Sequence, residues 1–173
     1  MNKNIICSAV ALLIITGCSS SYQQNELQTP EVKLDRNLGV LISTPEDGWY
    51  EQIDYPNSGR MTANAVRNAF AKNARKVTVT SDCKQQQCLE DIDTEMFGYY
   101  VQPIILHWED RSTEWSGKSD KVEIQIITYD AKTKQEIGNS TYSGKSQWAT
   151  FGGDHPQDLL AEPTNQYVES LYK

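Results

Sequence analysis

Read from the amino terminus, the pattern of apolar and polar positions changes period several times. Residues 5–15 form an apolar run, broken only by Ser8. Residues 19–35 are polar, with paired Ser and Gln and a Thr-Pro, and predict a flexible tether. Residues 38–42 are a short apolar run that predicts a buried strand. Residues 44–58 hold Pro, Gly and Asn and predict a long loop carrying Trp49, Tyr50 and Tyr55. Across residues 59–74, Ala65, Val66, Ala69, Phe70 and Ala74 recur at helical spacing, and Asn64, Arg67, Asn68 and Lys72 fall on the other face. Residues 76–80 predict a second strand, and a short helix is expected around Leu89 and Ile92.

The rest of the chain turns to β pattern. Residues 99–108 are rich in β-branched and aromatic side chains, with Pro103 inside. Proline cannot donate to a ladder, so an edge position or a bulge is expected there. Residues 122–129 open with Val122, Ile124 and Ile126 alternating against Glu123 and Gln125. A turn at residues 130–134 leads to a last strand over 137–148, with Tyr142 and Trp148 on one face. Asp154 and Pro156 predict a helix start, and Pro163 should kink or restart that helix. Tyr167, Val168, Leu171 and Tyr172 then form an apolar stripe. The expected fold class is α+β: one domain over residues 36–173, a mixed sheet in the order β-α-β-α-β-β-β-α with helices packed on it. Its first two strands should be parallel through a crossover and its last three antiparallel.

Composition narrows the function classes. The chain has 173 residues and a net charge of −7. Residues 1–17 contain one charge, Lys3, so the remainder is more acidic still. An acidic domain repels phosphate backbones, which excludes nucleic acid as an expected partner. It also disfavours flat contact with anionic headgroups.

The start of the chain supplies another attachment. A short n-region with Lys3, the apolar run and a small residue before Cys18 follow the order of a secretory signal peptide, too short for a stable span. Ile15-Thr16-Gly17-Cys18 resembles the lipobox of bacterial lipoproteins. That resemblance implies cleavage before Cys18, diacylglycerol on its sulfur and a palmitate-class acyl chain on the new amino terminus. Residues 1–17 are then signal peptide and residues 18–35 the lipidated cysteine and tether. Several acyl chains anchor firmly, since each buried CH2 contributes about 0.8 kcal/mol. Ser19 resembles the residues that permit export to the outer membrane, with the domain facing the periplasm. A tether of that length spans about 20 Å r.m.s., which keeps the domain near its membrane.

Cys7 leaves with the signal peptide and Cys18 carries lipid, so Cys83 and Cys88 remain. In an oxidising compartment they predict a disulfide. Residues five apart on a helix sit about 7.5 Å apart along the axis, beyond what a disulfide spans. The chain must therefore turn between them, with any helix starting near Gln86. No metal site is expected, because the histidines, His107 and His155, are remote from these cysteines and from each other in sequence.

The stretches WEDRSTEWSGKSD at 108–120, GKSQW at 144–148 and GGDHPQDLL at 152–160 resemble the signature of a family of proteobacterial lipoproteins known as a domain of unknown function. The resemblance covers nearly all of the mature domain and carries no assigned activity. At fold level alone, the element order is similar to the amino-terminal domain of TolB and to lipoprotein activators of penicillin-binding proteins, which are protein-binding modules. Fold likeness does not transfer function.

No phosphate-binding glycine loop, zinc motif or cofactor motif appears, and no cofactor is expected. Asp154, His155 and Ser146 do not sit in a Gly-x-Ser-x-Gly elbow. Asp91 and Asp93 read as an exposed helix face, and His107 as a structural or surface residue. The expected function is a non-catalytic protein-interaction module on an envelope protein. Its surface is the loop around Trp115, with Trp108, Arg111 and Glu114, and the loop of Trp49 and Tyr50. Aromatic and arginine anchors are favoured at interfaces. The alternative is a peptidoglycan binder or weak glycan hydrolase, using Trp108 and Trp115 to stack on sugars and Glu109 and Glu114 as paired carboxylates.

Overall fold

Alternation along the strands organises the molecule. In Val40-Leu41-Ile42 and in Tyr99-Tyr100-Val101, successive side chains enter two different apolar clusters, as the two-residue period of a strand requires. The computed structural model describes residues 20–111, 118–146 and 155–173. In chain order these form β1 (Ser21–Gln28), β2 (Val40–Ser43), β3 (Gly48–Tyr50), β4 (Ile53–Tyr55), α1 (Ser58–Phe70), β5 (Val77–Thr80), α2 (Gln86–Glu90), β6 (Tyr99–Glu109), β7 (Lys121–Asp130) and β8 (Glu136–Lys145). A 3-10 turn (Pro156–Leu159) and α3 (Ala161–Tyr172) close the chain. Pro163 sits in the first turn of α3, where its missing N–H costs little.

The expected α+β class holds. Six strands form one mixed sheet in the order β1-β8-β7-β6-β2-β5, and β3 and β4 make a separate hairpin. β2 runs parallel to both β5 and β6, while β6, β7 and β8 are antiparallel. The main core lies between the sheet and the helices α1 and α3, where Val66, Phe70, Tyr167, Val168 and Leu171 meet Ile42, Val101, Ile124 and Tyr142. A smaller cluster on the opposite face joins Leu41 and Tyr100 to Leu89, Phe97 and Cys88. Cys83 and Cys88 are disulfide-bonded with Cα atoms 5.1 Å apart. The chain turns between them at Gln85, which takes φ 48°, and α2 begins at Gln86. Tyr100 Oη lies 2.8 Å from the Gln85 carbonyl and from Ser43 Oγ, which ties that turn to the sheet. Burial pushes the Tyr100 hydroxyl up to about 12, against the lowering effect of its contact with Ser43.

Three expectations change. Residues 21–28 are not tether: they pair antiparallel with β8 as an edge strand, Tyr22 opposite Gly144 and Gln24 opposite Tyr142. The free ladder edge of β8 supplies hydrogen bonds to the backbone, and an exposed edge strand needs no apolar period. Leu34 is buried and its N–H donates to the Leu171 carbonyl at 2.9 Å, so the chain is held down before β2 as well. Pro103 lies within a central strand; β2 stops pairing with β6 at Val101, so the ladder on that side has ended before the proline. The irregularity in β6 falls between Ile105 and His107 instead. Finally, the segment expected as a long loop contains the β3–β4 hairpin. Among the described residues, no helix is long and apolar enough to cross a membrane.

Candidate functional site

Two regions collect polar or aromatic groups near β6. The first is at its far end. Strand alternation puts His107 and Glu109 on one face, and the β6–β7 register sets Lys121 opposite Glu109. Glu109 keeps 2% of its side chain exposed and makes an ion pair with Arg111. Lys121 Nζ lies 3.3 Å and His107 Nε2 3.4 Å from its other oxygen. Burial pushes the Glu109 carboxyl up, but the contacts with His107 and Lys121 and the charges of Lys121 and Arg111 together outweigh it and hold it below the usual glutamate value.

Just beyond, three remote stretches converge. Asp120 Oδ1 accepts the Arg111 N–H at 2.5 Å. Asp120 N–H donates to Ser146 Oγ at 2.9 Å, and Ser146 N–H donates to the Asp120 carbonyl at 3.0 Å. Asp110 Oδ1 stands 3.5 Å from His155 Nδ1. Asp110, Asp120 and His155 each bring one donor atom into a group spanning no more than 4.8 Å. Burial raises the Asp120 carboxyl above its ordinary value, and the negative charges of Asp110 and Glu109 push the same way. The three stretches that carry the family resemblance, 108–120, 144–148 and 152–160, therefore supply the residues that meet here. Sequence reasoning did not connect His155 with Asp110; their spacing of 45 positions hides a contact made by the β6 end and the start of the 3-10 turn.

The second region is the hairpin. β3 packs against β6 beyond the point where β2 ends. A Cβ built on Gly48 would stand 2.6 Å from Trp108 Cβ, so only glycine allows this approach. Ser58 pins the hairpin base: its Oγ accepts the Gly48 N–H at 2.7 Å and donates to the Tyr55 carbonyl at 2.7 Å. The Asp47 carboxylate accepts the N–H groups of Asn57 and Gly59 at the start of α1. Glu51, with φ 56°, makes the tip. Tyr50 packs edge-on against His107, ring centres 5.0 Å apart. Trp49 projects outward, 68% exposed, with Ile53 exposed on the paired strand. Beneath Trp49 a groove of about 230 Å³ is lined by Pro45, Lys84, Gln102, Pro103 and Ile105 among others. That is smaller than the roughly 300–1,000 Å³ of a small-molecule pocket. It suits one inserted side chain.

The expected docking surface is thus split. Trp49 is exposed, and Tyr50 is half-buried against His107. Trp108 is a correction: it is 1% exposed and packed in the main core, because its place in β6 turns it toward the helices. It cannot stack on a sugar. Arg111 is spent on Glu109. Trp115, Glu114, Trp148 and Asp154 lie outside the described residues, as do residues 1–17, expected as a signal peptide, and Cys18. Gln102 and Lys84, which line the groove, were missed, since neither carries a motif.

Residues 32–171 match a protein-family model described as a domain of unknown function, DUF4823. No curated protein matches the sequence. Among solved structures, a variant form of the PelC dodecamer of Paraburkholderia phytofirmans superposes with a TM-score of 0.65 at 11% identity, covering 88% of this chain and 99% of that chain. The protein XCC0632 of Xanthomonas campestris gives 0.51 at 14% identity, covering 83% of this chain and 90% of that one. The lipoprotein GNA1162 of Neisseria meningitidis gives 0.47 at 9% identity, covering 76% and 96%. At these identities the first two likenesses establish the fold alone.

Proposed function

The chain belongs to the DUF4823 family, and from that premise we propose that it is a lipid-anchored envelope lipoprotein acting as a non-catalytic protein-interaction module. The observation that carries this is Trp49: a large aromatic 68% exposed on a hairpin whose base is fixed by Ser58 and Asp47. A rigid exposed aromatic loses little entropy on binding, which is what an interface anchor needs. The groove beneath it is of a size to accept one partner side chain. The lipid anchor on Cys18 follows from the lipobox resemblance, with the outer membrane favoured by Ser19 and the domain facing the periplasm. Only Ser19 and Ser20 separate Cys18 from β1, so the domain would sit close against its membrane. A second copy of the chain is the first partner to test, because PelC, which shares the fold, is described as a dodecamer.

The test is photocrosslinking of the full lipoprotein in its own membrane, with the photoreactive residue at position 49 and a control at Asn64 on the exposed face of α1. A discrete protein adduct from 49 and none from 64 is expected. An adduct of twice the chain mass names a second copy, and another discrete mass names a different envelope protein. No adduct from 49, or equal adducts from both sites, overturns the proposal.

A further inference from the structure

We propose that Asp110, Asp120 and His155 form a binding site for a divalent transition-metal ion of the zinc class. Their donor atoms come from the β6 end, the segment before β7 and the start of the 3-10 turn, and all lie within 4.8 Å of one another. Asp110 Oδ1 is buried and accepts no hydrogen bond. His155 Nδ1 is 3.5 Å away, longer than an ordinary hydrogen bond. Two ligands bound at about 2.0–2.2 Å to one tetrahedral ion stand about 3.4 Å apart, so this separation fits two co-ligands, and a small closing movement would bring in the third donor.

The donors are also held in place. The Arg111 N–H fixes one oxygen of Asp120, while Ser146 brackets the Asp120 backbone. His155 N–H donates to the Asp158 carboxylate at 3.1 Å, and Pro156 follows, so its backbone is held at the start of the turn. Such outer contacts are what orient metal ligands. The neighbouring cations Arg111 and Lys121 are directed at Glu109. One nitrogen and two oxygens match the borderline preference of Zn²⁺, with water completing four-coordination.

The test uses the full-length lipoprotein in detergent, stripped with chelator and titrated with Zn²⁺ by calorimetry. One ion per chain is expected, with a rise in unfolding temperature, since an ion that binds only the folded state stabilises it. His155→Ala, His155→Gln and Asp110→Asn should each weaken binding by at least about tenfold, as removal of even an outer-shell partner does. Asp91→Asn, which removes an exposed carboxylate elsewhere, should bind as the parent does. Unfolding in chelator checks that each variant is folded; His155 is exposed at the surface and its loss should leave the fold intact. Absence of saturable binding, or binding that survives loss of His155 and Asp110, overturns the site and leaves an ordinary surface ion pair.

Discussion

Trp49 and Trp108 are the same residue type on two strands that touch, and they do opposite things. Trp108 is sealed in the core, while Trp49 is 68% exposed. Gly48 is the pivot: it lies against Trp108, and alternation then sends the next side chain outward. One tryptophan holds the sheet to its helices and the other stands at the surface. The lesson is that residue type, even of the residue most favoured at interfaces, does not report exposure. Strand parity and the layer on each side of the strand decide it.

The largest expected effect comes from the buried member. Trp108→Ala should cost about 3–5 kcal/mol by denaturant unfolding, the usual range for emptying a large aromatic from a core. A loss below about 1 kcal/mol would show that the site collapses easily and would break the contrast.

An intermediate effect belongs to Glu109, one residue on. Its carboxyl is held below the ordinary glutamate value of 4.5 in the folded state. A depressed folded value means that its stabilisation is present above that ordinary value and is lost as pH falls through the lower folded one. Glu109→Gln should therefore cost about 2 kcal/mol near neutral pH, the scale of hydrogen bonds to a charged group. The difference should shrink toward zero in acid, as the parent glutamate protonates. Urea midpoints measured from neutral to below pH 4.5 check this. Parallel curves for the two proteins would refute the role assigned to Glu109. Asp120, whose value is raised, acts in the opposite sense and should partly offset this acid limb.

The smallest effect on stability is expected at the exposed member. Trp49→Ser should shift stability by no more than about 0.5 kcal/mol, as surface substitutions do. In the same protein it should remove partner crosslinking from a neighbouring probe at Ile53. A large destabilisation would make Trp49 a packing residue after all.

Much of the fold was legible. The helical spacing of Val66, Ala69 and Phe70 marks the face of α1 that is buried, and the alternation of Val122, Ile124 and Ile126 marks the core face of β7. The five-residue cysteine spacing required a turn before α2, and Gln85 provides it. What was not legible has physical causes. β1 is mostly polar and mostly exposed, with Tyr22 alone of its side chains packed on the core, because an edge strand can be held largely by backbone bonds. The hairpin strands are three residues each, too short to show a period, and Glu51-Gln52 is not a turn signal of the Asn-Gly kind. The site at Asp110 and His155 joins positions far apart in the chain, and no local pattern encodes such a contact.

Pattern and composition were enough to determine an acidic α+β domain with a disulfide loop between Cys83 and Cys88, behind a lipobox-like start. These follow from local periods, short-range chain geometry and a contiguous motif, all written within a few neighbouring residues. Which tryptophan is buried, that residues 21–28 close the sheet edge, and that two aspartates and a histidine face one another were decided only by the tertiary structure. Each of those depends on the register and layering of elements that are distant in sequence, and neither register nor layering is a property of any one segment.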